Sequence, residues 1–333
     1  MFKRSLPKVL ILVLLVSLIT GCSSKESTDD KETGADDSTR YISIATGGTA
    51  GTYYPLGGAL AKIFNDNIDG VTANAQATGA STENVGLIAE GEAEVAFIQN
   101  DITYYAFTGT ETFEGKDKIE NMRGMAMIYP ELVQILATKE SNIKSVDDLR
   151  GKKVAIGAPG SGVEANARQV LAVHGMTYDD LGKADYLSFN EAADQLKNKQ
   201  IDAAFITAGI PTSAVTEVAQ TSDIVMIPIE KDKITELIDR YPYYTEVDIP
   251  KGTYNGQEHD NPTVAVMAML VVPEDLDEEL VYNMTKTLFE HKQEIADTHD
   301  RGNDIQLETA LIGMPIEVHP GAQRYYDEKG INK

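Results

Sequence analysis

Basic side chains, cysteine and tryptophan are scarce in this chain, and each scarcity closes off a class of function. Only 29 basic residues stand against 52 acidic ones, for a formal charge of −23 over 333 residues. Nothing therefore drives the chain electrostatically toward nucleic acid or anionic lipid. The lone cysteine excludes an internal disulfide and a thiolate metal cluster. Five histidines, His174, His259, His291, His299 and His319, lack HExxH or any close paired spacing, so capping or surface roles suit them. No metal and no cofactor is expected.

Catalytic motifs are missing as well. Thr46 to Tyr53 does not fit GxGxxG, the glycine-rich segment at 157–164 lacks the lysine of a phosphate-binding loop, and Ser161 is not in GxSxG. The acidic pairs Asp147 with Asp148 and Asp179 with Asp180 precede helical stretches, where they read as caps and dipole partners. The sequence predicts a binding protein and not an enzyme; the alternative is an extracytoplasmic enzyme or sensor on the same scaffold, because fold does not fix function.

What is present begins with a leader. Residues 1–8 carry Lys3, Arg4 and Lys8, and the apolar run 9–19 is too short to cross about 30 Å of hydrocarbon. This reads as a signal peptide over residues 1–21. Ile19, Thr20, Gly21 and Cys22 resemble a lipobox, so Cys22 is the expected lipidation site and the membrane is a partner through a lipid anchor. Residues 23–40 are almost wholly Ser, Thr, Asp, Glu, Lys and Gly. They cannot bury enough apolar area to fold and read as an acidic tether. The tether accounts for −3 of the charge, and the body that follows for −23.

From Tyr41 the pattern alternates between short β runs and helical apolar spacing, which predicts a parallel sheet with covering helices. A strand pair at 123–128 and 133–138 is expected around a turn-like break at Tyr129, Pro130 and Glu131. A second α/β set occupies 154–227, a loop-rich stretch 240–261, and an apolar strand 264–272. Helices are expected near 278–291 and 323–329. A chain that completes a second α/β set and then returns makes its first lobe discontinuous. The expected domains are lobe 1 over 41–130 and 265–333, and lobe 2 over 131–264, joined by a hinge.

Three small-residue segments each follow a strand and open a helix: 46–55, 78–84 and 157–164. Helix N-termini expose unpaired N–H groups and partial positive charge, so three of them in one cleft hold an anionic group without Lys or Arg. Their place at strand C-terminal ends, where open α/β sheets bind ligands, favours a site.

Three stretches carry a family resemblance: TGGTAGTYYPLGGALA (46–61), ATGASTENVGLIAEGEAEVAFIQND (77–101) and SVDDLRGKKVAIGAPGSGVEANARQVL (145–171). Together they resemble the signature segments of the TAXI receptors that serve TRAP transporters. The resemblance implies an α/β, type II periplasmic-binding-protein fold of two lobes around a cleft. It also implies a small anionic or zwitterionic solute, glutamate-like, glutamine-like or a dicarboxylate, and TRAP permease subunits as partners. Ala50 and Val163 depart from the Gly and Thr usual in that family. On the matching segments the implied ligand-binding residues are Gly48, Thr49 and Tyr53, then Ser81 and Asn84, then Gln99 and Asp101. From the second lobe come Ser161, Val163 through its N–H, Glu164, Asn166, Thr207 and Ala208, with Tyr129 at the crossover closing over the solute.

Overall fold

The computed structural model describes residues 39–331; the expected leader, Cys22 and all but the last residues of the tether lie outside that range. Ten strands form one sheet: β1 Arg40–Ala45, β2 Val71–Gln76, β3 Val95–Gln99, β4 Met122–Thr138, β5 Lys153–Ala155, β6 Lys183–Asp185, β7 Ala203–Ala208, β8 Ile224–Met226, β9 Thr245–Ile249 and β10 Asn261–Pro273. The helices are α1 Tyr53–Asn67, α2 Ser81–Glu90, α3 Asn100–Thr108, α4 Gly162–Val173, α5 Phe189–Lys197, α6 Ser213–Thr221, α7 Lys231–Arg240, α8 Glu278–Glu290, α9 Lys292–Ala296 and α10 Pro320–Glu328.

The sheet order is β2-β1-β3-β10-β4-β7-β5-β6, with β8 beside β4 and β9 beside β10. β1 pairs in parallel with β2 and β3, and β5 pairs in parallel with β6 and β7. Between these parallel sets run two long strands, β4 and β10, antiparallel to each other and to the strands they adjoin. Their length comes from apolar residues on both faces: almost every position of LVQILAT and of VAVMAMLVV is buried. Strands covered on both sides read as continuous apolar runs, and these do.

The expected break at Tyr129 to Glu131 is absent. β4 passes straight through Pro130, which stands opposite Met267, and a register shift lies beside it between Ala268 and Met269. The free edge of β4 takes up β7 only from Leu132 onward. Pro130 therefore lies just before that ladder starts, one of the few sheet positions that tolerate a residue without an N–H. The stretch 240–261, expected to be loop, contains β9, whose register on β10 runs from Asn261 with Ile249 to Ala265 with Thr245.

Buried apolar side chains collect on either side of the long strands. One core takes its residues from Ile42 to Tyr129, from Ala268 to Tyr326, and Ala165. Two others draw on residues between Leu132 and Val266. Along β4 the change comes between Tyr129 and Leu132, and along β10 between Val266 and Ala268. The acidic pairs do cap: Ser145 with Asp148 and Thr177 with Asp180 form reciprocal capping boxes.

Candidate functional site

A cavity of about 120 Å³ opens at the C-terminal ends of the parallel strands of both sets. Its loop wall is backbone-rich, with Gly47, Gly48 and Gly51 before α1, Gly79 and Ala80 before α2, and Ala158, Ser161 and Gly162 before α4. A fourth helix start, Ser188 and Phe189 of α5, completes this wall. Neither Thr52 nor Ala80 caps its helix with a side chain, whereas Ser161 accepts from the Glu164 N–H and Ser188 from that of Glu191. The loops also meet each other, because the N–H groups of Thr82 and Glu83 both donate to the Gly160 carbonyl, at 3.1 and 3.3 Å.

Two glycines, one beside this wall and one in it, have a steric reason. Gly157 adopts φ +101°, the left-handed region, and a Cβ there would press on the Val163 side chain and the Glu164 N–H. A Cβ on Gly162 would overlap Gln99 Oε1, so glycine is what lets α4 approach the end of β3.

The opposite wall is built from side chains of the sheet: Gln99 at the end of β3, Glu131 in the middle of β4, and Thr207 and Ala208 at the end of β7. Glu131 is 3% exposed. Its Oε2 accepts the Tyr53 hydroxyl at 2.6 Å, and its Oε1 lies 3.5 Å from the Tyr129 hydroxyl. Burial pushes the Glu131 carboxyl up to about 8, the nearby Asp101 adding to the rise and the tyrosine hydroxyl bonds opposing it. The Thr207 hydroxyl is buried and has no hydrogen-bond partner. Among the described residues no Lys or Arg lines the cavity.

These components fit an anion only under one condition. Each helix N-terminus contributes roughly 0.3–1 kcal/mol to a nearby negative charge, more when buried. An ionised carboxylate about 4 Å from that charge opposes it by about 4 kcal/mol at an effective dielectric constant near 20. A neutral Glu131 removes the opposition and adds a donor.

Of the fourteen residues proposed from sequence, Gly48, Tyr53, Ser81, Gln99, Ser161, Val163, Thr207 and Ala208 line the cavity. Thr49 sits exposed at the rim, where its hydroxyl accepts from Asn190 at 3.3 Å. Asn84 is turned to backbone, donating to the Thr46 and Phe97 carbonyls and accepting from Thr78. Glu164 does not line the cavity; it accepts the Tyr178 hydroxyl at 2.6 Å. Tyr129 is fully buried beneath Glu131 and is placed as a support, not a lid.

Asp101 and Asn166 lie just behind the cavity in a polar chain. Gln99 donates to Asn166, which donates in turn to Asp101 and to the Tyr244 hydroxyl; Tyr244 donates to Gln169, and Gln169 to Tyr105. This chain ties α3 to α4. Burial raises the Asp101 carboxyl to about 7, partly offset by the Ile102 and Asn166 donors.

Three lining residues escaped the sequence analysis, Glu131, Ser188 and Phe189. The signal for Glu131 was an acid inside an apolar strand run, hidden by reading Tyr129 to Glu131 as a turn. Phe189 packs over Gly51, 3.5 Å from where its Cβ would be. Its signal was an aromatic directly after the cap of a Ser188 and Glu191 capping box. Among the described residues no group of acidic, histidine or cysteine side chains could hold a metal ion, and no helix is long and apolar enough to cross a membrane.

The architecture is shared with solved structures. A protein of Bordetella bronchiseptica RB50 aligns over 87% of this chain and 98% of its own, at 16% identity and a TM-score of 0.58. PhnD1 of Prochlorococcus marinus, solved with methylphosphonate, aligns over 79% and 90%, at 11% identity and a TM-score of 0.53. A Pseudomonas aeruginosa protein described as a binding component of an ABC phosphonate transporter aligns over 79% of each chain, at 11% identity and a TM-score of 0.52. The fold is thus the expected α/β, type II periplasmic-binding-protein fold.

The expected family is corrected. The sequence profile that matches, over residues 44–330, is that of the NMT1-like family, and the one transporter named among these three neighbours is of the ABC type. Assignment to the TAXI receptors, with a TRAP permease and glutamate binding, does not stand. Glycine-rich helix starts after strands serve the architecture as a whole, so they carry the fold and not the transporter class. Spanning residues 44–330, the match shows that the chain belongs to the NMT1-like family.

Proposed function

We propose that this protein is an extracytoplasmic solute-binding receptor that captures a small organic anion of the phosphonate or sulfonate type and hands it to a membrane transporter, without covalent chemistry. The observation that carries this reading is the cavity itself: four helix starts converge on it, no cation lines it, and a buried hydroxyl in its wall lacks a partner. Net charge cannot attract an anion to a body this acidic, so local N–H donors in a water-poor cleft must hold it.

The two lobes of the receptor are residues 41–130 with 265–333, and residues 131–264, and they close on the solute about β4 and β10. The ligand residues are those of the two walls, Asp101 and Asn166 acting through Gln99. The transporter partner is of the ABC type, a reading supported by the Pseudomonas aeruginosa neighbour. Cys22 carries the lipid that keeps the receptor at the membrane, with 23–40 as its tether.

Binding to the folded state raises the melting temperature by mass action. Methylphosphonate, ethylphosphonate, methanesulfonate and larger sulfonates are therefore expected to include at least one that raises it in a concentration-dependent way. No rise with any of them overturns the anion reading.

A further inference from the structure

Glu131 is an odd wall for an anion site. It is almost fully buried and lines the cavity directly, yet no Lys or Arg lines that cavity to balance it. The titratable and charged groups around it come from four elements: Tyr53 of α1, Tyr129 of β4 itself, Asp101 of α3, and Arg301, which acts on Tyr129 and is paired with Asp304. Two are neutral phenols, one is a second carboxyl, and the one cation has its own acid.

The two oxygens of Glu131 are not equivalent. Oε2 takes the short bond from Tyr53, which needs an acceptor. Oε1 has only the long, weak 3.5 Å bond from the Tyr129 hydroxyl. A proton on Oε1 leaves the Tyr53 bond intact and turns Glu131, a residue of the cavity wall, into a donor. Thr207, buried and unpartnered in the same wall, supplies a second.

Building on the anion reading above, we propose that Glu131 meets the solute's anionic group as a carboxylic acid, so that solute and Glu131 are held by one shared proton. Glu131 is then a specificity residue. It favours anions that accept a hydrogen bond or bring a proton of their own, and it couples capture of a permanently ionised anion to the presence of one proton. Burial already places its titration near 8, so at neutral pH the proton is in place before the solute arrives. Above that pH a sulfonate binds only after Glu131 is reprotonated, and affinity falls.

The test uses the full-length chain and methanesulfonate, whose sulfonate stays ionised throughout, titrated calorimetrically from pH 6 to pH 10. The expected dissociation constant is level up to about pH 8 and then weakens about tenfold per pH unit. Glu131→Gln, a permanent donor of the same size, is expected to bind with a level profile and near wild-type affinity at pH 6. A wild-type profile that stays level to pH 10, or one that Glu131→Gln leaves unchanged, overturns the proposal. The wild type alone gives a second readout: at pH 9, binding heats in buffers of different ionisation enthalpy are expected to show close to one proton taken up, and none would overturn it. If neither methanesulfonate nor methylphosphonate binds at any pH, the anion reading itself falls and this inference with it.

Discussion

The two walls of the cavity are made in different ways. The loop wall presents backbone: glycines and short side chains at the starts of α1, α2, α4 and α5, whose value lies in N–H groups and close approach. The strand wall presents side chains, Gln99, Glu131 and Thr207, each fixed by its strand's place in the sheet. The first wall supplies positive potential that barely depends on which solute arrives. On the reading proposed above, the second decides which solute fits and in which protonation state, and attraction and selectivity are divided between main chain and side chains.

Breaking the loop wall should have the largest effect. Gly162→Val puts its Cβ onto Gln99 Oε1 and against Ile102, and should force α4 away from β3. Overpacking of this kind costs roughly 1–3 kcal/mol of stability, and solute-induced thermal stabilisation should vanish, which a melting series with and without methylphosphonate would reveal. Survival of the full thermal shift would mean that close approach of the two walls is unnecessary.

Asn166→Ala attacks the support behind the strand wall. It strands Gln99 and the buried Asp101 without their shared partner, at a cost of about 1–3 kcal/mol readable by urea unfolding. Solute affinity should fall through Gln99 rather than through any contact of Asn166 itself. Thr207→Val is subtler and more local. Removing an unpartnered buried hydroxyl should leave the solute-free protein as stable or slightly more so, while affinity for methylphosphonate drops about tenfold, one hydrogen bond's worth to a charged group.

A separate expected effect is on the stability of the solute-free protein against pH. Folding raises Asp101 from 3.8 to about 7 and Glu131 from 4.5 to about 8, so the folded state binds protons that the unfolded chain has released. Stability from these groups is full below about pH 4 and is lost as pH rises through 7 and 8. Between pH 5 and pH 9 the melting temperature should fall by several degrees, and Asp101→Asn with Glu131→Gln should flatten that slope.

The same division explains what could be read from the sequence. Loop-wall positions such as Gly48, Ser81 and Ser161 were legible, because a strand, a glycine turn and a helix start leave a local signature. The fold was legible for the same reason, including the returning strand β10. Glu131 was not. Its position depends on β4 running unbroken through Pro130, which only the offset between the β10 and β7 ladders makes tolerable. Local turn propensity pointed the other way, and long-range pairing prevailed. Asn84 and Glu164 show the converse: polar residues on the right segments whose side chains are taken up by Thr46, Phe97 and Tyr178. The family resemblance failed where local signatures are least specific, since helix starts fit any small anion and carry no mark of the transporter.

Native mass spectrometry of the full-length protein, purified with no solute added, tests most directly whether this cavity captures a small anion. The account predicts a retained adduct whose exact mass, after release, is that of a phosphonate or sulfonate small enough for the cavity, and which Thr207→Val weakens and Gly162→Val loses. A retained cation, or an uncharged molecule that both variants still hold, would contradict it.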